Sequence, residues 1–318
     1  MSQFKTKSFE ALMVLAIWAS ACLSASAEPI QYPRAIWMWE AASFQMLDHE
    51  HIAAENMAFM KAKGITTLYL YADSFEGQTK IASQKYLYAA LIKRLHKEGF
   101  QVYALLGSWY LKTQRYVLPA ERQAARRMFQ RVLEFNASVE PEAQFDGINL
   151  DIEPHMLAEW DTKKLKLLSD WIDLSHDFMQ LKKASRQSLM VGPAIPFWLD
   201  GIQINWGGVL KPVSEHLQDA YDYVALMDYR DRAEGGDGMI SHAANEIAYA
   251  NRIGKKVMLG IETGPNDIQK VSFNHLNEGD MTRELKKVED AFSREAAFSG
   301  FVIHHFGTYR QWLQQQGQ

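Results

Sequence analysis

FDGINLDIEPH, residues 145–155, is the stretch on which the reading of the fold turns. As an extended strand it puts Ile148, Leu150 and Ile152 on one side and Asn149, Asp151 and Glu153 on the other. Apolar residues facing a helix layer and polar ones facing inward suit a strand of a helix-wrapped parallel sheet. Seven more short apolar or β-branched runs share this character: AIWMW (35–39), TTLYLY (66–71), QVYALL (101–106), LMVGPA (189–194), YVALMD (223–228), KVMLGIE (256–262) and GFVIHHF (300–306). Helical patterns lie between them, the clearest at 51–64, 84–99, 119–135, 162–184 and 281–298, and Gly64, Gly99 and Gly254 stand where helices should end. Eight strand–helix alternations predict an α/β fold, a single (β/α)8 TIM barrel over residues 28–318. The rival, a doubly wound open sheet, lacks a G-x-G-x-x-G after the first strand.

Residues 1–27 read as an export signal rather than part of the fold. Lys5 and Lys7 precede the short apolar run ALMVLAIWASA, and Ala25-Ser26-Ala27 is a small-x-small cleavage site. The run is too short to span a bilayer, so an exported protein, periplasmic or secreted, with no transmembrane segment is expected. Cys22 is the only cysteine. Its setting, Ala19-Ser20-Ala21-Cys22, resembles a bacterial lipoprotein box, so lipid attachment at Cys22 is the alternative to cleavage after Ala27. Either way the mature domain has no disulfide and no thiolate. With Lys and Arg at 34 against 38 for Asp and Glu, no basic surplus exists to neutralise phosphates, which argues against nucleic acid as a partner.

In a barrel of this kind the active site lies at the C-terminal ends of the strands. Those ends read Trp39-Glu40, Asp73, Trp109, Asp151 to His155, Pro196-Phe197-Trp198, Asp228 to Asp231, Glu262-Thr263 and His304-His305. Carboxylates, Trp and His on one rim suit a carbohydrate: flat rings stack on sugars, and paired carboxyls supply acid, base or nucleophile. Crowding Asp151 against Glu153 should raise one of the two pKa values and keep a proton available near neutral pH. The plainer account is an ion pair with an inward Arg or a helix cap. Trp37, Trp39, Trp109 and Trp198 serve as well in a core as on a platform, and alternation puts Trp37 and Trp39 on one face.

The 145–155 segment resembles the signature of the family 18 glycoside hydrolases (chitinases and related endoglycosidases), commonly D-G-x-D-x-D-x-E on the fourth barrel strand. Asp146, Gly147, Asp151 and Glu153 match, and Asn149 stands where that family usually has Asp. YDYVALMDYR (221–230) is similar to the family's sixth-strand pattern. Ile152 replaces a common Trp or Tyr, and His304-His305 ends the eighth strand where chitinases usually carry a Trp. The resemblance implies Glu153 as general acid, Asp151 orienting a substrate N-acetyl group whose oxygen attacks the anomeric carbon, and Tyr229 bonding that same group. Asp228, beside Tyr229 in the matching stretch, joins the catalytic candidates. Trp39, Asp73, Trp109, Asn149, His155, Trp198 and His304 are the substrate-binding candidates.

Glu153-Pro154 and Glu262-Thr263-Gly264 also resemble the acid/base and nucleophile ends of the clan A retaining hydrolases, which keeps Glu262 as a catalytic candidate; its alternative is a salt bridge to Arg230 or a rim Lys. A metal site from His155, His304, His305 and Asp228 would make a different hydrolase, but no H-x-H or H-E-x-x-H spacing supports it. The expectation is an exported glycoside hydrolase of carbohydrate metabolism, with a carbohydrate partner and neither cofactor nor metal. A catalytically inactive sugar-binding barrel and a metal-dependent hydrolase are the alternatives.

Overall fold

The structure, a computed structural model, describes residues 32–317. The leader expected over residues 1–27, with Cys22, lies outside them. Eight parallel strands close into a barrel, as the alternation predicts: β1 (Arg34–Met38), β2 (Ile65–Tyr71), β3 (Gln101–Leu106), β4 (Gly147–Leu150), β5 (Met190–Pro196), β8 (Tyr223–Met227), β9 (Lys256–Glu262) and β10 (Phe298–His304). β10 returns to pair with β1, so no barrel strand is an edge. The two remaining strands, β6 (Gln203–Trp206) and β7 (Val209–Pro212), form an antiparallel hairpin outside the barrel. Its turn is Gly207-Gly208, both at positive φ, the backbone a two-residue hairpin of matching twist requires.

Among the described residues, ten α-helices accompany the strands: α1 (Glu40–Asp48), α2 (Glu50–Ala62), α3 (Lys80–Ser83), α4 (Lys85–Lys97), α5 (Arg122–Ala137), α6 (Trp160–Ser185), α7 (Val213–Ala220), α8 (Met239–Ile253), α9 (Glu278–Phe292) and α10 (Phe306–Gln316). All five helices expected from sequence are present. α9 is the one whose bounds differ most, beginning at the Asn277–Asp280 capping box and ending at Phe292, so that Phe298 opens β10 instead of closing a helix. Among the described residues no helix is long and apolar enough to cross a membrane.

Two apolar layers result. Outward strand residues such as Ile148, Leu150 and Val224 pack against the helices in the larger one. Inside the barrel, Ala35, Trp37, Tyr69, Leu105, Ala194, Tyr223, Ala225 and Val302 form a second. Its rings make a column: His304 to Trp37 (5.8 Å between centroids), Trp37 to Tyr69 (5.8 Å), Tyr69 to Tyr103 (5.5 Å) and Tyr103 to Tyr223 (5.9 Å). At the N-terminal end this column borders a cavity of ≈ 190 Å³ lined by Tyr69, Tyr103, Tyr223, Met258, Lys256 and Gln101.

One buried acid sets a pH dependence. Glu246 of α8 is 1% exposed, and burial, then the nearby Asp200, raises its carboxyl to about 8. Between the ordinary carboxylate range and pH 8 the folded chain keeps a proton that the unfolded chain has released. Stability from this group is therefore full at acid pH and declines as pH rises toward 8, by at most about 1.4 kcal/mol per pH unit. Glu246→Gln should flatten this slope: its melting temperature should exceed the parent's at pH 8 and match it at pH 5. Parallel melting curves at the two pH values, measured by circular dichroism, would contradict this assignment.

Candidate active site

The site grows from the end of β4. Alternation carries Asn149 inward, where it is fully buried: its Oδ1 accepts from Trp37 Nε1 at 2.8 Å, and its Nδ2 donates to Tyr223 Oη at 3.2 Å and to the Gly192 carbonyl at 3.4 Å. Asn149 thus ties β4 to β1, β5 and β8 beneath the mouth. This corrects its expected role as a substrate contact, because a fully buried amide with both ends engaged offers a sugar nothing.

Two residues further on, the backbone leaves the sheet and Asp151 reaches the rim. Its N–H donates to the Leu106 carbonyl at 2.7 Å. Gly107, at φ +109°, lies so close that a Cβ there would fall 2.0 Å from the Asp151 carbonyl oxygen. The end of β3 therefore sets the height of Asp151. Burial raises the Asp151 carboxyl well above the usual carboxylate range, and the charges of Glu153 and Glu40 raise it further. The crowding expected of the Asp151/Glu153 pair is present, and the raised member is Asp151.

Glu153 lies beside it with its side chain 32% exposed and Oε2 3.1 Å from His155 Nε2. His155 is held edge-on by Trp198 at 5.4 Å and Trp160 at 6.1 Å, a cluster that lines the β4–β5 side of the mouth. Trp109 projects from the loop after β3, 68% exposed. Glu40, the first residue of α1, accepts a hydrogen bond from Ser108 Oγ and completes a trio of acids with Asp151 and Glu153.

Across the barrel, Tyr229 follows β8. Burial raises its phenol well above the ordinary value, and Glu262, Asp151 and Glu153 add to the shift, so it stays a neutral hydroxyl donor. Glu262 ends β9 in register with His304 at the end of β10, and its Oε2 is 2.7 Å from His304 Nδ1. Its Oε1 accepts from the N–H groups of Thr263 (2.7 Å) and Gly264 (2.6 Å). Burial alone would raise this carboxyl, but His304 and the two amides outweigh it and hold it below its ordinary value. The alternative of a salt bridge to Arg230 fails, because Arg230 pairs with Asp237. Trp39 shares the interior face with Trp37, as alternation predicts, and its indole Nε1 reaches His304 Nε2 at 3.4 Å.

Two candidates lie elsewhere. Asp73 is 1% exposed and paired with Arg131 of α5, so it belongs to the packing between barrel and helices rather than to the mouth. Asp228 is fully buried, with Oδ1 2.9 Å from His242 Nδ1 on α8. Tyr223, Ala225 and Met227 take the interior positions of β8, so residue 228 faces the helices. Burial raises the Asp228 carboxyl and His242 opposes the rise. The metal alternative loses its ligand set in the same way. Asp228 is turned outward, and His305, joined to His304 by a cis peptide bond, caps α10 by accepting from the Gly307 N–H at 3.2 Å. Burial lowers the His305 imidazole to about 4. Among the described residues no group of three or more His, Cys, Asp and Glu side chains is placed to hold a metal ion.

No family model matches this sequence, and no curated protein matches it. Solved structures do match in fold. A family 18 chitinase from Cycas revoluta, determined with (GlcNAc)4, superposes with a TM-score of 0.55 at 11% identity, over 89% of this chain and 98% of that one. A chitinase from Chromobacterium violaceum gives 0.52 at 12% identity, over 89% and 98%. An exo-β-1,4-mannosidase from Opitutaceae bacterium strain TAV5 gives 0.54 at 14% identity, over 86% and 52%. The chain is thus a divergent barrel with the fold of the family 18 chitinases, and that fold is shared with a mannosidase.

Proposed function

We propose that the protein is an exported glycoside hydrolase that cleaves a polysaccharide or glycan, with Glu153 as the general acid. The observation that carries this reading is the trio of Glu40, Asp151 and Glu153 at the barrel mouth, in which burial and mutual repulsion keep Asp151 protonated where an isolated Asp would have lost its proton. Glu153 is 32% exposed at its side chain and has His155 as its polar partner.

In the reaction we propose, a sugar bearing an N-acetyl group enters over Trp39 with its acetamide toward Asp151 and Tyr229. The acetamide N–H is accepted best by a carboxylate, so the proton on Asp151 passes to Glu153. Glu153 gives that proton to the glycosidic oxygen as the C–O bond breaks, and the acetamide oxygen forms the new bond to the anomeric carbon. Tyr229, a neutral phenol, donates to that acetamide oxygen and aims it. Water then attacks the anomeric carbon as the bond from that carbon to the acetamide oxygen breaks and the acetamide is released, and the proton lost by the water returns Glu153 to its acid form. General acid catalysis of this kind contributes roughly 10²–10⁴-fold.

The leader features of residues 1–27 support export. The test is a panel of bacterial and plant polysaccharides, including chitin and mannan, assayed for released reducing ends with and without a chelator. Products formed equally in both conditions are expected. Binding without products would identify a sugar-binding barrel, and activity lost to the chelator a metal-dependent hydrolase.

A further inference from the structure

Glu262 and His304 form a unit that the reaction above does not use. Glu262 accepts three hydrogen bonds: one from His304, one from Thr263 and one from Gly264. A carboxylate offers about four lone-pair sites, so little remains for attack on a sugar carbon. A hydrogen placed on His304 Nδ1 by its bond to Glu262 leaves Nε2 as the bare acceptor of the ring. Trp39 agrees with this assignment, because its indole N–H can only donate, and it points at Nε2. The 3.4 Å separation is long for such a bond, so a stronger donor can displace it. The ring is also held in place by its neighbours, with Trp37 at 5.8 Å, Trp39 at 6.2 Å, Tyr229 at 5.7 Å and His305 at 5.1 Å between centroids. Even so, the His304 side chain keeps 27% of its surface open.

We propose that Glu262 is a positioning residue rather than a nucleophile, and that it fixes His304 with Nε2 unprotonated, as a specificity-determining acceptor for a hydroxyl or N–H hydrogen of the sugar at the β9–β10 wall. The inference rests on the carbohydrate reading of the mouth. It implies a substrate that presents a donor there instead of a bare C–H face. A site that hydrogen-bonds a substrate group discriminates strongly against the analogue lacking it, because its own polar atom is then left unpaired.

The test uses the full chain labelled with ¹⁵N at histidine, with chitotetraose and mannotetraose as probes. The His304 signals, assigned by their loss in His304→Gln, should show a bare Nε2 and a protonated Nδ1 at pH 7, and Glu262→Leu should abolish that fixed state. His304→Leu should weaken binding of the preferred probe, or raise its KM, roughly 10- to 100-fold with a smaller change in kcat. His304→Gln, which keeps an acceptor near the Nε2 position, should recover part of the loss. A covalent sugar adduct on Glu262 would overturn the proposal, as would a His304 ring protonated on Nε2 or equal binding by His304→Leu and parent. Failure of the hydrolase reading looks different: no probe is cleaved by the parent, yet the fixed tautomer and the loss of binding in His304→Leu persist. A parent that binds neither probe overturns both.

Discussion

Glu153→Gln is expected to lower hydrolysis roughly 10²–10⁴-fold while substrate still binds. Gln preserves the shape of the side chain and its contact with His155 but has no proton to give a leaving oxygen. Asp151 keeps its raised pKa partly through the charge on Glu153, so the same change should let the Asp151 carboxyl ionise more readily. Binding measured by calorimetry, and rate by reducing-end release, separate the two effects. Activity at the parent level in Glu153→Gln would remove the basis for both glycosidase mechanisms.

A second large effect is expected at a residue that touches no substrate. Gly107→Ala places a methyl carbon 2.0 Å from the Asp151 carbonyl oxygen, a backbone atom that cannot swing aside. It also puts a side chain at φ +109°, where only glycine is at ease. The strain should cost about 1–3 kcal/mol, and relief must come from moving the end of β4. Displacing a catalytic pair by about 1 Å costs on the order of 10²-fold in rate. Gly254→Ala is the control: it too has positive φ, but nothing lies within 4 Å of its Cβ position. It should lower the melting temperature and leave turnover intact. Equal turnover in the two variants would contradict the claim that Gly107 sets the position of Asp151.

The barrel was legible because each inner strand is a short apolar run, and such runs must be buried on both faces. α1 was missed since it starts at Glu40, immediately after the residues that read as a strand end, with no loop to announce it. The β6–β7 hairpin does have a sequence signal, Gly207-Gly208 between strand-like residues, but it lies outside the strand–helix alternation that marks the barrel. Within the site, alternation turns Asn149 inward but says nothing about depth, so Asn149 sits below the mouth instead of in it. Asp228 had the wrong parity for the interior, a fact available from Tyr223, Ala225 and Met227. Asp73 has the parity of Tyr69, but β2 ends at Tyr71, and past a strand end alternation no longer governs direction. The Glu262–His304 bond was out of reach, because it depends on the register between β9 and β10, and register is a property of the closed barrel.

The column of rings from His304 down to Tyr223 divides the barrel into two compartments. Trp37, Tyr69, Leu105 and Asn149 are at most 2% exposed, so packed side chains separate the mouth from the ≈ 190 Å³ cavity at the opposite end. A molecule lodged among Tyr69, Tyr103 and Tyr223 would be invisible to the chemistry above it. The rim can accordingly be remodelled, loop by loop, without flooding the interior. A substrate would meet an apolar floor beneath the carboxyl groups of Asp151, Glu153 and Glu262, where polar interactions are stronger than in bulk water.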